Sequence, residues 1–478
     1  MTEESLILEK AERIRDVIRY IRKFKNALVI IYIDDRLIDS SLFINHIKDI
    51  CLIHESGLKV IIVPGAEKRI DEVLRQQNIT WTRYNNCRIT GSEAIPSIKM
   101  AAFDVSNKIM TALAGEKQTA VIGNWVRARS KGVINGFDYG TSGEIDKLQV
   151  DAIKTVLDNG FIPIFPCIGW SLAGKPYNIS SIQLAEEIAV HLQADKLFYL
   201  LPEGNISNET FYIPHGIGTS KEGNIPAMNL EELKTFIDIN KKLLINYDKE
   251  YTNLSNYIQN KELYITKNNY ESNINFYNKI FSLLTNAENA CVNGVSRIHI
   301  LNGSINGTLP CEIFSDLGSG TMIYKSNYGG IRDMTINDAN AVLNVMKPFI
   351  DQQILLPRSI ESLKKDYIYY IVYELDGAIR ACAALIPYSD SQMEIAGIAV
   401  DKNCSHIGIG PKMISYLIEK AKRFNAKDVF LLTTKTADWF ENLGFRETSI
   451  DYIPEKRKQT WTPQRGSKAY VYKLNNNE

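Results

Sequence analysis

Six short apolar runs, separated by stretches with helical periodicity, constrain the fold of this chain most. They are Leu28–Ile33, Val60–Val63, Ala120–Gly123, Phe161–Phe165, Leu197–Leu201 and Ile298–Leu301. Their residues are apolar in succession rather than in alternation, which suits strands covered on both faces. Between them lie patterns such as Ile44–His54 and Ile182–Leu192, with apolar residues three and four apart. Strand and helix in alternation predict an α/β domain over residues 26–325, built on an open, mainly parallel sheet. Residues 203–275 are less regular and rich in Asn, Tyr and Lys. Hairpins, loops and helices decorating that domain are expected there.

Residues 1–25 read as one helix. Leu8, Ala11, Ile14, Val17, Ile18 and Ile21 form an apolar stripe, interleaved with Arg13, Arg15, Arg19 and Arg22. Such a stripe lies against its own domain or against the same helix of a neighbouring subunit. Lys+Arg and Asp+Glu balance at 55 each. No basic excess marks a nucleic-acid partner or an anionic membrane surface. No apolar run reaches the roughly 18 residues of a membrane span, and the acidic start Met1-Thr2-Glu3-Glu4 is unlike a signal peptide. The seven cysteines are scattered without a CxxC pair. Reduced thiols, no metal and a cytoplasmic location are expected.

A polar, glycine-containing stretch at 326–330 reads as a linker, and a second α/β domain is expected over 331–478. Its pattern is a helix at Asn337–Phe349, then strands at Ile368–Tyr373, Ala378–Pro387 and Met393–Val400. A helix after Gly410, a strand at Val429–Thr434, a short helix at Thr436–Leu443 and a strand at Ala469–Leu474 follow. The informative segment runs from Met393 through Gly410. It reads strand, glycine-containing loop, helix, with Met413, Ile414, Leu417, Ile418 and Ala421 as the buried helix face. Gly408 and Gly410 would let backbone N–H groups at the positive helix end approach an anion such as a pyrophosphate. A packing turn is the commoner reason for Gly-x-Gly before a helix.

In this context the region resembles the Gcn5-related N-acetyltransferase family, whose fold is a smaller α/β domain. The resemblance implies that Ser405, His406, Ile407, Gly408, Ile409 and Gly410 form the loop holding the pyrophosphate of acetyl-CoA. Ser405 stands where the family carries Arg or Gln. It also implies that Ile398, Ala399 and Val400 pair through their main chain with the pantetheine arm. The segments Gln353–Ser359, Phe430–Phe445, Ile453–Lys458 and Gln464–Lys468 are similar, in order, to the N-acetylglutamate synthase family of amino-acid acetyltransferases. That likeness implies acetyl transfer from acetyl-CoA to L-glutamate, the opening step of arginine biosynthesis. Glu394 would be the base and Thr433 the hydroxyl beside the departing thiolate. Arg358, Arg465 and Ser467 would grip the glutamate carboxylates. Read singly, Glu394 suits a solvated strand end or a salt bridge. Thr433 suits any strand, and each arginine suits a surface cation.

Residues 25–325 resemble the amino-acid kinase fold, specifically N-acetylglutamate kinase, without its phosphate-handling residues. Where such kinases carry Lys-x-Gly-Gly, this chain has Ile31-Tyr32-Ile33-Asp34-Asp35. The second glycine motif is reduced to Val63-Pro64-Gly65-Ala66, and Asn178-Ile179-Ser180-Ser181-Ile182 lacks the family's Asp. A second phosphate-binding Lys is missing near Leu283. Kinase inactivity is expected, since phosphoryl transfer needs cations around the developing charge. The stretches Arg297–Gly303 and Cys311–Ile323 resemble the arginine-binding signature of arginine-inhibited relatives. L-arginine is therefore implied as effector, at Tyr20, His299, Glu312 and Gly318. A packed core histidine in a fold-supporting hairpin is the plainer alternative. In the family the N-terminal helices interlock, implying a homo-oligomer, a hexamer by resemblance. Two other functions compete: the same chemistry on a different amine, or an idle arginine-sensing protein. An acceptor screen separates the first, and CoA binding the second.

Overall fold

The computed structural model describes residues 3–84, 87–134, 136–214, 216–220, 222–254, 267–314, 318–325, 329–375, 377–388, 392–404 and 408–474. The chain divides into two compact units, Met1–Pro214 with Asn224–Lys325, and His215–Gly223 with Ser326–Glu478.

The first unit is built on an eight-stranded sheet. Its strands are β1 (Leu28–Ile33), β2 (Lys59–Pro64), β3 (Ala120–Ile122), β4 (Ile162–Ile164), β5 (Lys196–Leu201), β6 (Ala227–Asn229), β7 (Arg297–Asn302) and β8 (Thr321–Tyr324). The order is β6-β8-β7-β5-β1-β2-β4-β3, parallel throughout except between β7 and β8. All six apolar runs form strands of this sheet. The central ones are buried along almost their whole length, as their unbroken apolar sequence requires. Helices α1 (Glu3–Lys23), α2 (Glu67–Gln76), α3 (Lys267–Val292) and α4 (Thr308–Phe314) belong to the same unit. Tyr20, Ile21 and Phe24 pack on the core that includes Leu309 and Ile313 of α4, whereas Ile7, Ile14, Val17 and Ile18 are exposed.

Two features of this unit differ from the expectation. Val126–Ser130, Gly143–Leu148, Ile168–Trp170 and Pro176–Asn178 form a second, four-stranded sheet. Its strands carry Arg127, Arg129, Glu144 and Lys147, so no apolar run announces them. Within 203–275, the described residues include the expected helices, Leu230–Leu254 and the start of α3, and a short strand, but no hairpin of two such strands.

The second unit carries a seven-stranded sheet. Its strands are β9 (Gly329–Asp333), β10 (Tyr370–Leu375), β11 (Ala378–Pro387), β12 (Gln392–Val400), β13 (Asp428–Thr433), β14 (Arg446–Thr448) and β15 (Lys468–Lys473). Their order is β9-β10-β11-β12-β13-β15-β14, antiparallel except between β12 and β13. Gly329 and Gly330, expected in a linker, open β9 and pair with Leu375 and Glu374. Helix α5 (Ala339–Asp351) packs on β11 and β12 through Val342, Val345 and Met346. Helix α6 (Ile409–Arg423) buries all five residues of its expected apolar face. The four-residue helix α7 (Glu455–Lys458) follows Ile453, which is buried against Phe430 and Ala469.

Among the described residues no helix is long and apolar enough to cross a membrane. None of their His, Cys, Asp and Glu side chains cluster to hold a metal ion. All seven cysteines are free thiols.

Candidate active site and effector site

The sheet of the second unit is split at its only parallel pair of strands. Gln392, Met393 and Glu394 of β12 pair with Asp428, Val429 and Phe430 of β13. From Ile395 to Val400 that edge has no ladder partner among the described residues, while the opposite edge still pairs with β11. A bulge sits where the strands part. The register slips between Ala396↔Ala384 and Ala399↔Cys382, and Gly397 adopts a left-handed φ of 60°. An extra residue bends its strand and strengthens the local twist, which turns β12 away from β13. The result is a gap along Ile398–Val400, where the backbone groups that do not face β11 have no strand partner among the described residues. An amide-bearing chain can hydrogen-bond there as an added strand would.

At the end of β12 the chain reaches α6. Gly408 caps this helix with φ 71°, a conformation that side chains resist, and Gly410 lies in the first turn under the Trp439 ring. Ile409 and Gly410 are buried. Ser405, His406 and Ile407 lie outside the described residues. The N–H groups of the first turn have no intrahelical partners and sit at the positive end of the helix dipole.

Glu394 occupies the last paired rung before the gap. It is 3% exposed, so the solvated reading does not hold. Arg457 of α7 places Nε 2.9 Å from both carboxylate oxygens, and Tyr388 donates its hydroxyl to Oε2 at 3.0 Å. Burial, and then the Glu394 charge, pushes the Tyr388 phenol up, so it remains a donor. Arg457 and Tyr388 were not singled out from the sequence. Arg457 follows Glu394 by 63 positions, and only the Ile453–Lys458 motif drew attention to its neighbourhood.

The other expected residues surround this point. Thr433 ends β13 on the far lip of the gap, with its hydroxyl 2.7 Å from that of Thr436. Glu394 is opposite Phe430, so strand alternation puts Thr433 on the other face of the sheet. A chain threading the gap passes from one face to the other. Arg465 donates to the Ile354 carbonyl at 2.8 Å, tying the C-terminal segment to the one that carries Arg358. Arg358 is half-buried and has no ion-pair partner among the described residues; burial pushes the Tyr370 and Tyr388 phenols up, and the nearby Arg358 charge only partly opposes that rise. Ser467 is buried, and the Trp461 indole donates to its Oγ at 3.1 Å.

In the first unit, a second cluster joins three of the four expected effector residues. His299 and Glu312 are buried, 2.6 Å apart through Nδ1 and Oε1. The other carboxylate oxygen accepts from the backbone of Ser319 and Gly320. A side chain at Gly318 would run into this carboxylate. Burial lowers the His299 pKa. Burial opposes the Glu312 charge, yet its donors hold the carboxyl below the usual range. A neutral imidazole donating through Nδ1 leaves Nε2 as an acceptor, and that atom is buried without a hydrogen-bond partner. Tyr20 stacks on Phe24 at 5.8 Å. Buried Lys196 and Arg297 lie over the same Phe24 ring, at 4.0 and 5.5 Å. Lys196 was not expected from the sequence, because it opens an otherwise apolar strand, whereas Arg297 opens the stretch that resembles the arginine-binding signature.

The kinase-like cleft survives as a cavity of about 1010 Å³ lined by Arg36, Glu67, Arg83, Arg88, Lys131 and Lys279. Asp34 pairs with Arg36 and Lys279. Lys279 lies one turn before Leu283, so a lysine does reach the cleft, but it is paired with Asp34 and Glu67. Asp35 accepts from the backbone of Lys68 and Arg69 at the start of α2. Its own carboxylate thus takes the helix end that would face a phosphate.

Burial, with Asp34 alongside, pushes Asp35 up to about 6. An acid held above its unfolded value of about 4 binds protons more tightly when folded. Its contribution to stability therefore falls as pH rises from about 4 through 6. Asp35→Asn keeps an oxygen for both N–H groups. It should stabilise the protein above pH 7 by about 2–3 kcal/mol and have little effect below pH 4. Thermal unfolding across this range checks the sign, and a destabilised variant at pH 8 would refute it.

The two units define a class: an acetyltransferase domain with a split sheet, joined to an amino-acid kinase-like domain. Residues 27–201 match the amino acid kinase family, and residues 366–447 match the acetyltransferase (GNAT) domain. The amino-acid acetyltransferase of Mannheimia succiniciproducens is 30% identical over 465 residues, covering 96% of this chain and 97% of that one. That of Vibrio vulnificus is 29% identical over 466 residues, covering 95% and 96%. The N-acetylglutamate synthase of Neisseria gonorrhoeae has been solved with coenzyme A and L-arginine. It aligns with TM-score 0.68 at 26% identity, over 98% of this chain and 99% of that one. The same enzyme with coenzyme A and N-acetyl-glutamate aligns with TM-score 0.56 at 27% identity and the same coverage. The chain belongs to the amino-acid acetyltransferase family.

Proposed function

We propose that this chain transfers the acetyl group of acetyl-CoA to the α-amine of L-glutamate, releasing CoA and N-acetyl-L-glutamate. The observation that carries this is the gap beyond Glu394, a buried carboxylate at the fork of two diverging strands. The thioester donor would lie with its pantetheine arm along Ile398–Val400 and its pyrophosphate against the start of α6 at Gly408 and Gly410. Glu394 would take a proton from the substrate ammonium, directly or through water, freeing the nitrogen lone pair. The amine then attacks the thioester carbonyl; the C–N bond forms and the C–S bond breaks. Thr433 would donate to the departing thiolate. Arg358 and Arg465, with Ser467, would hold the two carboxylates, since a guanidinium fork matches a carboxylate and keeps its charge. The gonococcal complexes, holding coenzyme A with N-acetyl-glutamate in one case and with L-arginine in the other, support the donor, the acceptor and the effector. The test is CoA release with glutamate as acceptor, with and without arginine. Release only with some other amine would replace glutamate in this reading.

Arginine is proposed to act through the kinase-like unit, residues 26–325, which we expect to have no kinase activity because Arg36, Arg83, Arg88 and Lys279 of its cleft are paired with its own carboxylates. The unpaired Nε2 of His299 suits a guanidinium N–H, and Glu312 supplies the opposite charge beside it. His299→Ala should weaken arginine binding about tenfold or more, while the thermal shift produced by CoA persists. An unchanged arginine shift would remove His299 from the site. The exposed stripe at Ile7, Ile14, Val17 and Ile18 supports a homo-oligomer paired through α1. Free thiols support a cytoplasmic setting.

A further inference from the structure

Three guanidiniums belong to the second unit's candidate site, and their surroundings divide them. Arg358 has no ion-pair partner among the described residues. Arg465 uses one nitrogen on the Ile354 carbonyl. Arg457 is committed: Nε bridges both oxygens of Glu394, and Nη1 donates to Thr460 Oγ1 at 2.8 Å. Its backbone is held as firmly. Arg457 N donates to the Pro454 carbonyl at 2.8 Å, and the preceding Ile453 is locked against Phe430 and Ala469. The guanidinium is therefore held at Nε and at Nη1, on a backbone that is itself anchored.

We propose that Arg457 is a positioning residue for acetyl transfer, holding the Glu394 carboxylate aimed at the fork between β12 and β13. The inference rests on the assignment of Glu394 as base. A carboxylate almost sealed from water is costly unless donors compensate its charge. Among the described residues Arg457 and Tyr388 are its side-chain donors, and the Tyr388 ring lies 5.7 Å from that of Phe430. An ion pair at this depth is a poor way to gain stability, since well-packed apolar residues commonly do as well. Its placement at the last rung before the gap points to chemistry instead. A role as substrate clamp fits less well, because Nε and Nη1 are already engaged while Arg358 stands unpaired.

The test compares Arg457→Gln, Arg457→Lys and Thr460→Val with wild type, measuring kcat, the two Michaelis constants and CoA affinity. Arg457→Gln should lower kcat about 100-fold, with both Michaelis constants and CoA affinity within about threefold. Arg457→Lys keeps a positive charge and should recover at least about tenfold of that loss. Thr460→Val removes the hydroxyl that accepts from Nη1 and donates to the Arg457 carbonyl, and should lower kcat by a smaller factor without changing CoA affinity. A raised Michaelis constant for glutamate at constant kcat would overturn the proposal in favour of a substrate clamp. Loss of CoA affinity together with kcat, without rescue by lysine, would reduce Arg457 to a structural role. Should wild type release no CoA with glutamate, the substrate assignment fails by itself. The same comparison on the amine it does acetylate then decides the role of Arg457.

Discussion

Glu394→Gln should lower kcat by about 100-fold or more while the protein still binds CoA. The amide has the carboxylate's shape but is not basic enough to take a proton from an ammonium. Its oxygen can still accept from Arg457, and the Tyr388 hydroxyl can turn to accept from the new amide N–H. Geometry is therefore largely kept while proton transfer is lost. A cost in stability is also expected, because the Arg457 guanidinium, only 14% exposed, loses its counter-charge. Breaking a buried pair in this way typically costs about 3–5 kcal/mol. Thermal unfolding and CoA binding thus accompany the kinetics. Glu394→Asp keeps the charge but withdraws it by one methylene, and should retain more activity than the glutamine variant. If Glu394→Gln turned over at the wild-type rate, this carboxylate would be a structural ion pair alone.

What could be read from the sequence followed from how local its cause was. Leu28–Ile33 and Lys196–Leu201 are strands because residue after residue must be apolar in a sheet covered on both faces, and that pattern is written in consecutive letters. The five-residue face of α6 is equally local. Val126–Ser130 was not legible, because a half-exposed strand alternating Arg with small residues resembles a loop. The bulge at Gly397 had one weak signal, an isolated glycine inside an apolar strand, but its effect on the partner strand is tertiary. Glu394 drew attention through resemblance, whereas Arg457 depends on the return of a segment 63 residues further on, and Tyr388, only six residues away, reads as an ordinary aromatic at a strand end. The same holds for Lys279, whose distance from Asp34 along the chain hides their pairing. In the effector cluster, His299 and Glu312 came from recognisable stretches, one of which Arg297 opens, while Lys196 looked like an ordinary strand start.

Removing the two remaining guanidiniums should separate acceptor from donor. Arg465→Ala should raise the Michaelis constant for glutamate by about 30-fold or more, in line with the roughly 2 kcal/mol or more carried by a charge-assisted pair. The constant for acetyl-CoA should change little, since the donor lies along β12 and the start of α6. Arg358→Ala should act in the same direction. Arg465 has a second task, because its bond to the Ile354 carbonyl fixes the segment that carries Arg358. The two effects should therefore not be additive: once Arg465 is lost, Arg358 is less well placed, and its own removal matters less. Arg465→Lys restores the charge but cannot give one nitrogen to Ile354 and a planar fork to a carboxylate. It should recover only part of the affinity for glutamate. Equal rises in both Michaelis constants, or full turnover of glutamate by the double alanine variant, would show that these arginines do not hold the acceptor.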